Sequence, residues 1–219
     1  MPSRTLYVYW AEHDPYLPPV PEDDLHLSVR VQQRWKRYRT LQQQNMSLLA
    51  KRLLFFGLQQ LRWRVGGDLA DFSYHPSGKP YLADLPVHFS LSHSKQVAVC
   101  VLSADMPVGV DVQEWLPVPP DSEGLFIVTD ERQKVGSADR LALWSQKEAA
   151  YKAVGSDLGV SFSQFRFSEP QRVTCPQMTL ELIPQFIRQG YICCLAVPSP
   201  DSLPLAPIQI AVERVLYPY

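Results

Sequence analysis

Twenty prolines are spread along this chain of 219 residues, and they limit the length of any helix or strand that it can form. They are concentrated at residues 15–21, 76–86, 117–120 and 198–207. Proline fixes its φ angle and lacks a backbone N–H, so it disrupts the interior of helices and sheets and favours loops. We therefore expect short regular elements that are separated by loops.

The spacing of apolar residues between these clusters predicts a mixture of helices and strands. Helices are predicted at 28–41, 45–61 and 137–154, and strands at 5–10, 72–74, 86–90, 96–102, 108–112, 191–197 and 208–215, with shorter alternation at 165–167 and 178–183. The helix from Ser137 to Val154 is the clearest, and Gly155 is placed to stop it. The expected fold class is α+β, with an N-terminal subdomain (1–105) and a C-terminal subdomain (106–219).

The composition is that of a folded protein, since 46% of the residues are hydrophobic and 20% are charged. The longest uncharged stretch near the C-terminus, 189–200, is shorter than the ~20 apolar residues that a membrane span requires. The N-terminus lacks the basic-then-apolar pattern of a signal peptide. The four cysteines show no CxxC spacing and are expected to be reduced thiols. These features predict a cytoplasmic protein without a membrane partner.

Positive charge is concentrated in one part of the chain, although the net charge is only −1. Residues 25–67 contain no acidic residue and nine cations: Arg30, Arg34, Lys36, Arg37, Arg39, Lys51, Arg52, Arg62 and Arg64. Such a window is either a solvated helix surface or a surface that attracts an anionic partner. Lys51 and Arg52 are expected to lie off the apolar face of their helix.

The predicted helix over 137–154 carries a carboxylate and a lysine on the same face. Glu148 shares a stripe with Leu141, Trp144 and Tyr151, which is expected to face inward. Lys152 follows four residues later, one helical turn away. The two residues form either an ordinary salt bridge beside a core tryptophan or part of a site, because a buried carboxylate must be paired or bind a metal.

The predicted strand at 108–112 carries a second carboxylate among apolar residues. Asp111 and Gln113 are two positions apart, so both side chains point to one face of the strand. Gly109 allows another group to approach the backbone closely. Asp111 is either a cation ligand or a strand-end aspartate that bonds to a turn.

The segment HFSLSHS at 88–94 places Ser90, Ser92 and Ser94 on one face and His93 near a strand end. Hydroxyl and imidazole groups at such a position can bind a phosphate, although a single histidine is more often structural. The turn that contains Lys79 adds one cation upstream.

The fragments GKP, HFSLSHS, GVDVQ and WSQKEAAYKAVG follow one another between about residues 78 and 155. In this order they resemble the signatures of the Sfp-type 4′-phosphopantetheinyl transferase family. The resemblance implies a pseudo-dimer of two similar α+β subdomains with the active site in the cleft between them. It implies transfer of the 4′-phosphopantetheine arm of coenzyme A to a serine of an apo-carrier protein, which releases 3′,5′-ADP.

The resemblance also implies roles for individual residues. Asp111, Glu148 and Lys152 would be catalytic, and Asp111, Glu148 and Gln113 would hold Mg²⁺. The implied coenzyme A contacts are Lys79, Ser92, His93, Arg37, Arg39 and Lys147. The partner would be an acyl, peptidyl or polyketide carrier of fatty acid, polyketide or nonribosomal peptide biosynthesis. The enzyme would be a monomer that does not bind nucleic acid.

The sequence departs from the family pattern in two places. Gln113 stands where the family usually has a second acid, and Glu114 is one residue out of register on the opposite strand face. Asn45 and Met46 stand where many members have an arginine, so Arg37 and Arg39 are expected to take over its phosphate contact. Lys51 and Arg52 are further candidates for this contact.

Two other functions are consistent with parts of the sequence. A Mg²⁺-dependent nuclease would use the acids and the basic helices, but nucleases of the PD-(D/E)xK kind need an acid and a lysine two positions apart on a strand. Glu148 and Lys152 are four apart on a predicted helix. A non-catalytic protein that binds carrier proteins or nucleic acid would use residues 30–64 and would leave Asp111, Glu148 and Lys152 unexplained.

Overall fold

The computed structural model describes residues 4–14, 25–64, 68–76, 78–116, 137–155, 159–169, 171–199 and 208–216. The predicted proline-rich loops at 15–21 and 117–120 lie outside these residues. The strands are β1 (Arg4–Glu12), β2 (Phe72–Tyr74), β3 (Pro80–Leu82), β4 (His88–Ser94), β5 (Val97–Ser103), β6 (Gly109–Glu114), β7 (Arg166–Glu169), β8 (Arg172–Cys175), β9 (Met178–Gln185), β10 (Tyr191–Pro198) and β11 (Ile208–Arg214). The helices are α1 (Val29–Trp35), α2 (Leu41–Gln60), α3 (Ser137–Val154) and a 3₁₀ turn, Phe162–Gln164.

The first sheet has the strand order β11-β1-β5-β4 and carries α2 on one face. β5 pairs antiparallel with both β1 and β4, whereas β11 pairs parallel with β1. The apolar face of α2, which includes the buried Leu48, Leu53 and Leu58, packs in the core beside this sheet. A Cβ at Gly57 would come within 2.6 Å of Tyr9 and Leu102, so the glycine allows α2 to approach the strands closely.

The second sheet is antiparallel throughout, with the order β6-β10-β9-β8-β7, and carries α3 against β6 and β10. α3 presents buried alanines to the sheet: Ala149, Ala150 and Ala153. A Cβ at Gly109 would lie 1.9 Å from the Ala149 carbonyl oxygen. Only glycine therefore permits this approach, and it brings α3 directly over β6.

The two halves share one topology. In each, a first strand is followed by a helix and then by an antiparallel pair whose second strand returns beside the first: β1-α2-β4-β5 and β6-α3-β9-β10. Valines and leucines from β1 and β5 and from β6 and β10 form a common apolar core. The α+β pseudo-dimer predicted from the sequence is confirmed.

The expected division into residues 1–105 and 106–219 needs one change, which concerns the last described strand. β11 pairs with β1, from Arg4 opposite Ile208 to Trp10 opposite Arg214, so it belongs to the first sheet. The expected C-terminal subdomain (106–219) therefore loses its last described strand to the N-terminal one. An apolar strand at 208–215 is predictable, but its partner is chosen by packing between residues distant in sequence.

Two element boundaries also differ from the prediction. α1 stops at Trp35, and α2 begins at Leu41 rather than at Asn45, because the Thr40 hydroxyl caps the helix by accepting the Gln43 N–H at 3.2 Å. β4 starts later than predicted and continues to Ser94. Polar residues occupy the first turn of α2 and the last part of β4, so the spacing of apolar residues did not predict that these elements extend so far.

The described cysteines are all free thiols, and Cys100, Cys193 and Cys194 are buried. Within the described residues, no helix has both the length and the apolar character that a bilayer span requires.

Candidate active site

A cavity of about 300 Å³ lies between the two halves of the molecule. The first half contributes residues of α1, α2, the turn before β3, and β4. The second half contributes residues of α3. The charged, imidazole and phenol-bearing residues that line it are Arg34, Tyr38, Lys51, Tyr74, Lys79, His93, Glu148, Tyr151 and Lys152.

Asp111 lies beside this cavity on β6 and is only 2% exposed. Its Oδ1 accepts hydrogen bonds from the Ser92 hydroxyl at 2.9 Å and from the Lys152 ammonium at 2.7 Å. Its Oδ2 accepts one from the Gln113 amide at 2.9 Å. Asp111 and Gln113 therefore share a strand face, as predicted. The alternative of an aspartate bonded to a turn is wrong, because its partners come from β4, β6 and α3.

Glu148 lines the cavity from α3, and its Oε2 lies 4.0 Å from the Lys152 ammonium. Burial raises the pKa of Glu148, the Lys152 ammonium lowers it, and the Asp111 carboxylate raises it again. Lys152 thus lies between two carboxylates, and this group retains an excess of negative charge. A carboxyl whose pKa is raised toward neutrality suits proton transfer.

The stripe that carries Glu148 does not face inward, contrary to the prediction. Glu148, Trp144 and Tyr151 are half-buried, and Trp144 stacks on Phe162 with ring centroids 5.4 Å apart. The fully buried face of α3 instead contains Ser145, Lys147 and the three alanines. The close approach to β6 selects small residues for that face, so the larger apolar side chains lie at its border.

Lys147 does not reach the cavity. It is 0% exposed, and its ammonium lies 5.8 Å from the centre of the Phe167 ring on the packed side of α3. The implied contact of Lys147 with coenzyme A therefore has no support in this geometry.

The serines of β4 connect the two sheets. The hydroxyl oxygens of Ser90, Ser92 and Ser94 each accept one backbone N–H from β6, in register. The donors are Val110 at 3.1 Å, Val112 at 3.1 Å and Glu114 at 3.0 Å. The Ser92 oxygen also accepts a hydrogen bond from Lys152 at 3.2 Å and donates one to Asp111. A hydroxyl has one donor and two acceptor sites, and Ser92 uses all three within the protein, so this geometry gives no support to its implied coenzyme A contact.

Lys51 is the principal residue that the sequence reasoning placed wrongly. It is only 2% exposed and lies on the buried face of α2, although it was expected off that face. Its ammonium donates to the Ser47 carbonyl at 3.0 Å and to the Ser47 hydroxyl at 2.8 Å. Burial, and secondarily the charge of Arg34, lowers the pKa of Lys51 to about 7. The feature of the sequence that could have predicted its burial is its position among the leucines of the buried face of α2.

Arg34 is a second cation of the cavity, and the sequence singled it out only as one of the nine cations in the acid-free window. Its guanidinium lies 4.1 Å from the centre of the Tyr74 ring, a distance typical of a cation–π contact. Arg37 and Arg39 are exposed and are not among the residues that line the cavity. Of the described cations in the acid-free window, Arg34 and Lys51 line the cavity, whereas Arg37 and Arg39 do not.

His93 and Lys79, two of the implied coenzyme A contacts, line the cavity. Burial is the largest cause that lowers the pKa of His93 to about 4, and the ammonium groups of Lys51 and Lys152 lower it further. The imidazole is therefore neutral near pH 7 and offers one donor and one acceptor nitrogen. Lys79 donates to the Ala153 carbonyl at 3.0 Å, so it connects the first half to the end of α3.

The donor set near Asp111 fits a divalent cation that takes its remaining ligands from substrate and water. Within the described residues, no cluster of three His, Cys, Asp or Glu side chains could hold a metal on its own. Asp111 and Glu148 are two carboxylates joined by one ammonium, and Mg²⁺ is commonly bound by one or two carboxylates plus phosphate oxygens. Gln113 donates through its amide nitrogen to Asp111 and so supports this carboxylate, and the use of its amide oxygen as a third ligand stays a proposal.

Comparison with known proteins gives matches that include this region. A family profile described as the 4′-phosphopantetheinyl transferase superfamily matches residues 107–196. The 4′-phosphopantetheinyl transferase psf-1 of Bacillus pumilus is 35% identical over 113 residues, which cover 47% of this chain and 48% of that protein. The 4′-phosphopantetheinyl transferase gsp of Aneurinibacillus migulanus is 25% identical over 199 residues, which cover 84% of this chain and 83% of that protein. The match to the first relative thus spans about half of its length.

Proposed function

We propose that this chain, which matches the 4′-phosphopantetheinyl transferase superfamily over residues 107–196, transfers the phosphopantetheine arm of coenzyme A to a carrier-protein serine. The products would be the holo-carrier and 3′,5′-ADP. The observation that carries this proposal is the shared cavity, in which cations of one half face Glu148 of the other, with Asp111 beside it. A function in binding alone would leave the placement of Lys152 between the carboxylates of Asp111 and Glu148 unexplained.

Glu148 would accept the proton of the carrier serine. Its pKa is raised by burial, which makes it a stronger base than an ordinary surface glutamate, and it lines the cavity where the serine would enter. The serine oxygen would form a bond to the phosphorus that bears the pantetheine arm. The phosphoanhydride bond would break, and the electron pair would leave on the 5′-phosphate of 3′,5′-ADP.

Lys152 would stabilise that leaving phosphate. Its ammonium is 2.7 Å from Asp111 and 4.0 Å from Glu148, and it is partly exposed to the cavity. A fixed cation that needs no reorganisation during the reaction is an effective source of transition-state stabilisation. Asp111 and Ser92 hold this cation in place.

Asp111 and Glu148 would hold Mg²⁺, and Gln113 would support Asp111 through its amide. The bound ion would neutralise charge on the diphosphate of coenzyme A during transfer. Among the described residues, two carboxylates are close to Lys152, so the site would depend on the substrate to complete it.

The first half would bind the nucleotide end of coenzyme A. Lys51 and Arg34 supply cations, Lys79 supplies another at the turn, and the neutral His93 supplies a hydrogen-bonding group. Within the described part of the chain no carboxylate pairs with Lys51, and its pKa is lowered to about 7. A phosphate group would therefore be its natural counter-ion.

The further properties expected from the sequence remain parts of the proposal. The protein would act as a cytoplasmic monomer on an apo-carrier of fatty acid, polyketide or nonribosomal peptide synthesis. We keep the division into two functional halves, with β11 assigned to the first.

A transfer assay with a panel of apo-carriers tests the proposal. The full chain is incubated with coenzyme A and each carrier, with Mg²⁺ or with a chelator. We expect at least one carrier to gain the mass of one phosphopantetheine, with an equal amount of 3′,5′-ADP, in the presence of Mg²⁺. An absence of transfer to acyl, peptidyl and polyketide carriers, with a folded protein, would reject the proposed activity.

A further inference from the structure

The three serines of β4 make the same kind of hydrogen bond with β6, and Ser92 differs from the other two by its further side-chain hydrogen bonds. Each accepts a backbone N–H from β6, although β4 and β6 belong to different sheets. Ser92 has two additional hydrogen bonds, one to Asp111 and one from Lys152. Ser94 offers a natural comparison, because its contact to the Glu114 N–H has nearly the same length.

We propose that Ser92 is a positioning residue of the transfer reaction, which fixes the Asp111 carboxylate and the Lys152 ammonium relative to each other. The inference deepens the proposed function and rests on it. Ser92 would not contact coenzyme A. It would act through Asp111 and Lys152, whereas Ser94 would only join the two strands.

The geometry around the Ser92 oxygen supports this role. The hydroxyl donates to Asp111 Oδ1, and the same oxygen accepts the Val112 N–H and the Lys152 N–H. All of its hydrogen-bonding capacity is thus used within the protein. Because Val112 and Asp111 lie on β6 and Lys152 lies on α3, one side chain of the first half fixes two elements of the second.

The burial of Ser92 makes the loss of this hydroxyl consequential. The residue is 6% exposed, and Asp111 is 2% exposed. In Ser92→Ala the Asp111 Oδ1 would keep Lys152 as its remaining partner among the described residues, and Lys152 would lose one of its fixed partners. The carboxylate and the ammonium could then rotate together away from the reacting position. Changing a residue that supports such a group typically lowers activity ~10- to 100-fold.

Steady-state kinetics of Ser92→Ala and Ser94→Ala, both measured on the full chain, test the proposal. We expect kcat of Ser92→Ala to fall ~10- to 100-fold while its KM for coenzyme A changes little. Ser94→Ala should lose a similar amount in melting temperature, because both variants leave one backbone N–H without its hydroxyl acceptor. Its kcat should stay close to that of the parent. Ser92→Thr, which keeps the hydroxyl, should recover most of the lost kcat.

Other outcomes would overturn the proposal. Equal losses of kcat in Ser92→Ala and Ser94→Ala would assign both serines to strand joining alone. A raised KM for coenzyme A at unchanged kcat would make Ser92 a coenzyme contact. If Ser92→Ala does not fold, Ser92→Cys keeps the size and replaces the hydroxyl by a weaker hydrogen-bonding group, and the same loss of kcat is expected.

Crystal structures of the parent and of Ser92→Ala separate this inference from the proposed activity. A shift of the Asp111 carboxylate or the Lys152 ammonium, with the β4–β6 contacts of Ser90 and Ser94 intact, supports positioning. Unmoved groups would reject it, even in a protein that transfers phosphopantetheine. A parent that transfers to no carrier would reject the activity itself, and the structures would still report on the position of the two groups.

Discussion

The two halves of the molecule share one arrangement of a helix on antiparallel strands, yet they bring opposite charges to the cavity between them. The described lining residues of the first half include Arg34, Lys51 and Lys79 but no carboxylate. The second half contributes Glu148 to the lining and Asp111 beside it. A repeated scaffold therefore constrains the packed core while it leaves the side chains at the cleft free to diverge.

The halves also differ in how their charges are compensated. Lys152 lies within hydrogen-bonding distance of Asp111, so the second half is neutralised in part before any ligand arrives. Among the described residues, the partners of Lys51 are Ser47 and the face of Phe72, and burial lowers the pKa of Lys51 to about 7. We infer that the first half depends on the ligand for charge compensation, whereas the second half is assembled in advance. The following changes test that difference.

Asp111→Asn should have the largest effect. It keeps the size of the side chain but removes the charge that fixes Lys152 and would hold the metal. We expect turnover to fall ~10³-fold or more, with little change in melting temperature, as measured by carrier modification and thermal unfolding. Glu114→Gln, a neighbouring change out of register with Asp111, is the control and should stay active. Equal activity of the two variants would remove Asp111 from the mechanism.

Glu148→Gln should reduce turnover by ~10²-fold, the scale expected for loss of a general base. Its Kd for coenzyme A, measured without Mg²⁺, should change little, because binding by the protein groups alone is assigned to the first half. The control is Glu181→Gln, an exposed change on β9. Single-turnover kinetics at saturating coenzyme A would measure the effect, and a rate close to that of the parent would show that another group takes the serine proton.

Lys51→Met should weaken coenzyme A binding and at the same time stabilise the fold. Loss of one charged phosphate contact, worth ~1.5–3 kcal/mol, corresponds to about a 10- to 150-fold rise in Kd. Since the pKa of Lys51 is lowered to about 7, the unfolded state binds more protons between pH 7 and the ordinary lysine range. The free energy of unfolding of the parent should therefore rise with pH in that window, and Lys51→Met should remove this dependence.

At pH 7, denaturant titration should find the Lys51→Met variant more stable by about 1 kcal/mol or more. Arg39→Met is the matched comparison, because Arg39 is an exposed cation of the same acid-free window. A larger loss of coenzyme A affinity in Arg39→Met than in Lys51→Met would restore the assignment made from the sequence.

The affinity for coenzyme A should fall as the pH rises above 7. The protonated fraction of Lys51 decreases through its pKa of about 7, whereas the phosphate monoester of the ligand is already a dianion above pH ~6. We expect about a tenfold rise in Kd between pH 7 and pH 9, measured by calorimetry. Lys51→Arg should flatten this profile, since arginine stays protonated. A profile that is the same in both proteins would exclude Lys51 as its source.

Gln113→Glu should have the smallest effect on turnover, and it tests how the second half would bind Mg²⁺. The change adds a carboxylate to the strand face that already carries Asp111. We expect turnover to stay within a few-fold of the parent and the Mg²⁺ concentration at half-maximal rate to fall. Gln146→Glu, on α3 outside the lining residues of the cavity, controls for added charge. An inactive but folded Gln113→Glu would show that the site needs the amide.

The sequence predicted the elements that carry the reaction better than it predicted the contacts between them. The strand pattern placed Asp111 and Gln113 on one face, and the helical pattern placed Glu148 and Lys152 one turn apart. Both relations are local and follow from backbone geometry. The ammonium of Lys152 instead contacts Asp111, 41 positions away, and no spacing rule gives that distance.

The failures have a common physical cause, which is packing between distant segments. Small residues at Gly109 and Ala149 set the approach of α3, and this decides that Lys147 is buried while Glu148 faces the cavity. The pairing of β11 with β1 and the use of Ser92 as a link to β6 also depend on tertiary contacts. Hydrophobic periodicity predicts neither the pairing of distant strands nor the hydrogen bonds between distant side chains.

Calorimetric titration of coenzyme A into Lys51→Met and Glu148→Gln, in the absence of Mg²⁺, tests the division of labour most directly. Without the ion, the affinity reports on the protein groups alone. We expect a Kd raised about 10-fold or more in Lys51→Met and a Kd close to that of the parent in Glu148→Gln. An unchanged Kd in Lys51→Met, or an equal loss of affinity in both variants, would contradict the assignment of binding to the first half and catalysis to the second.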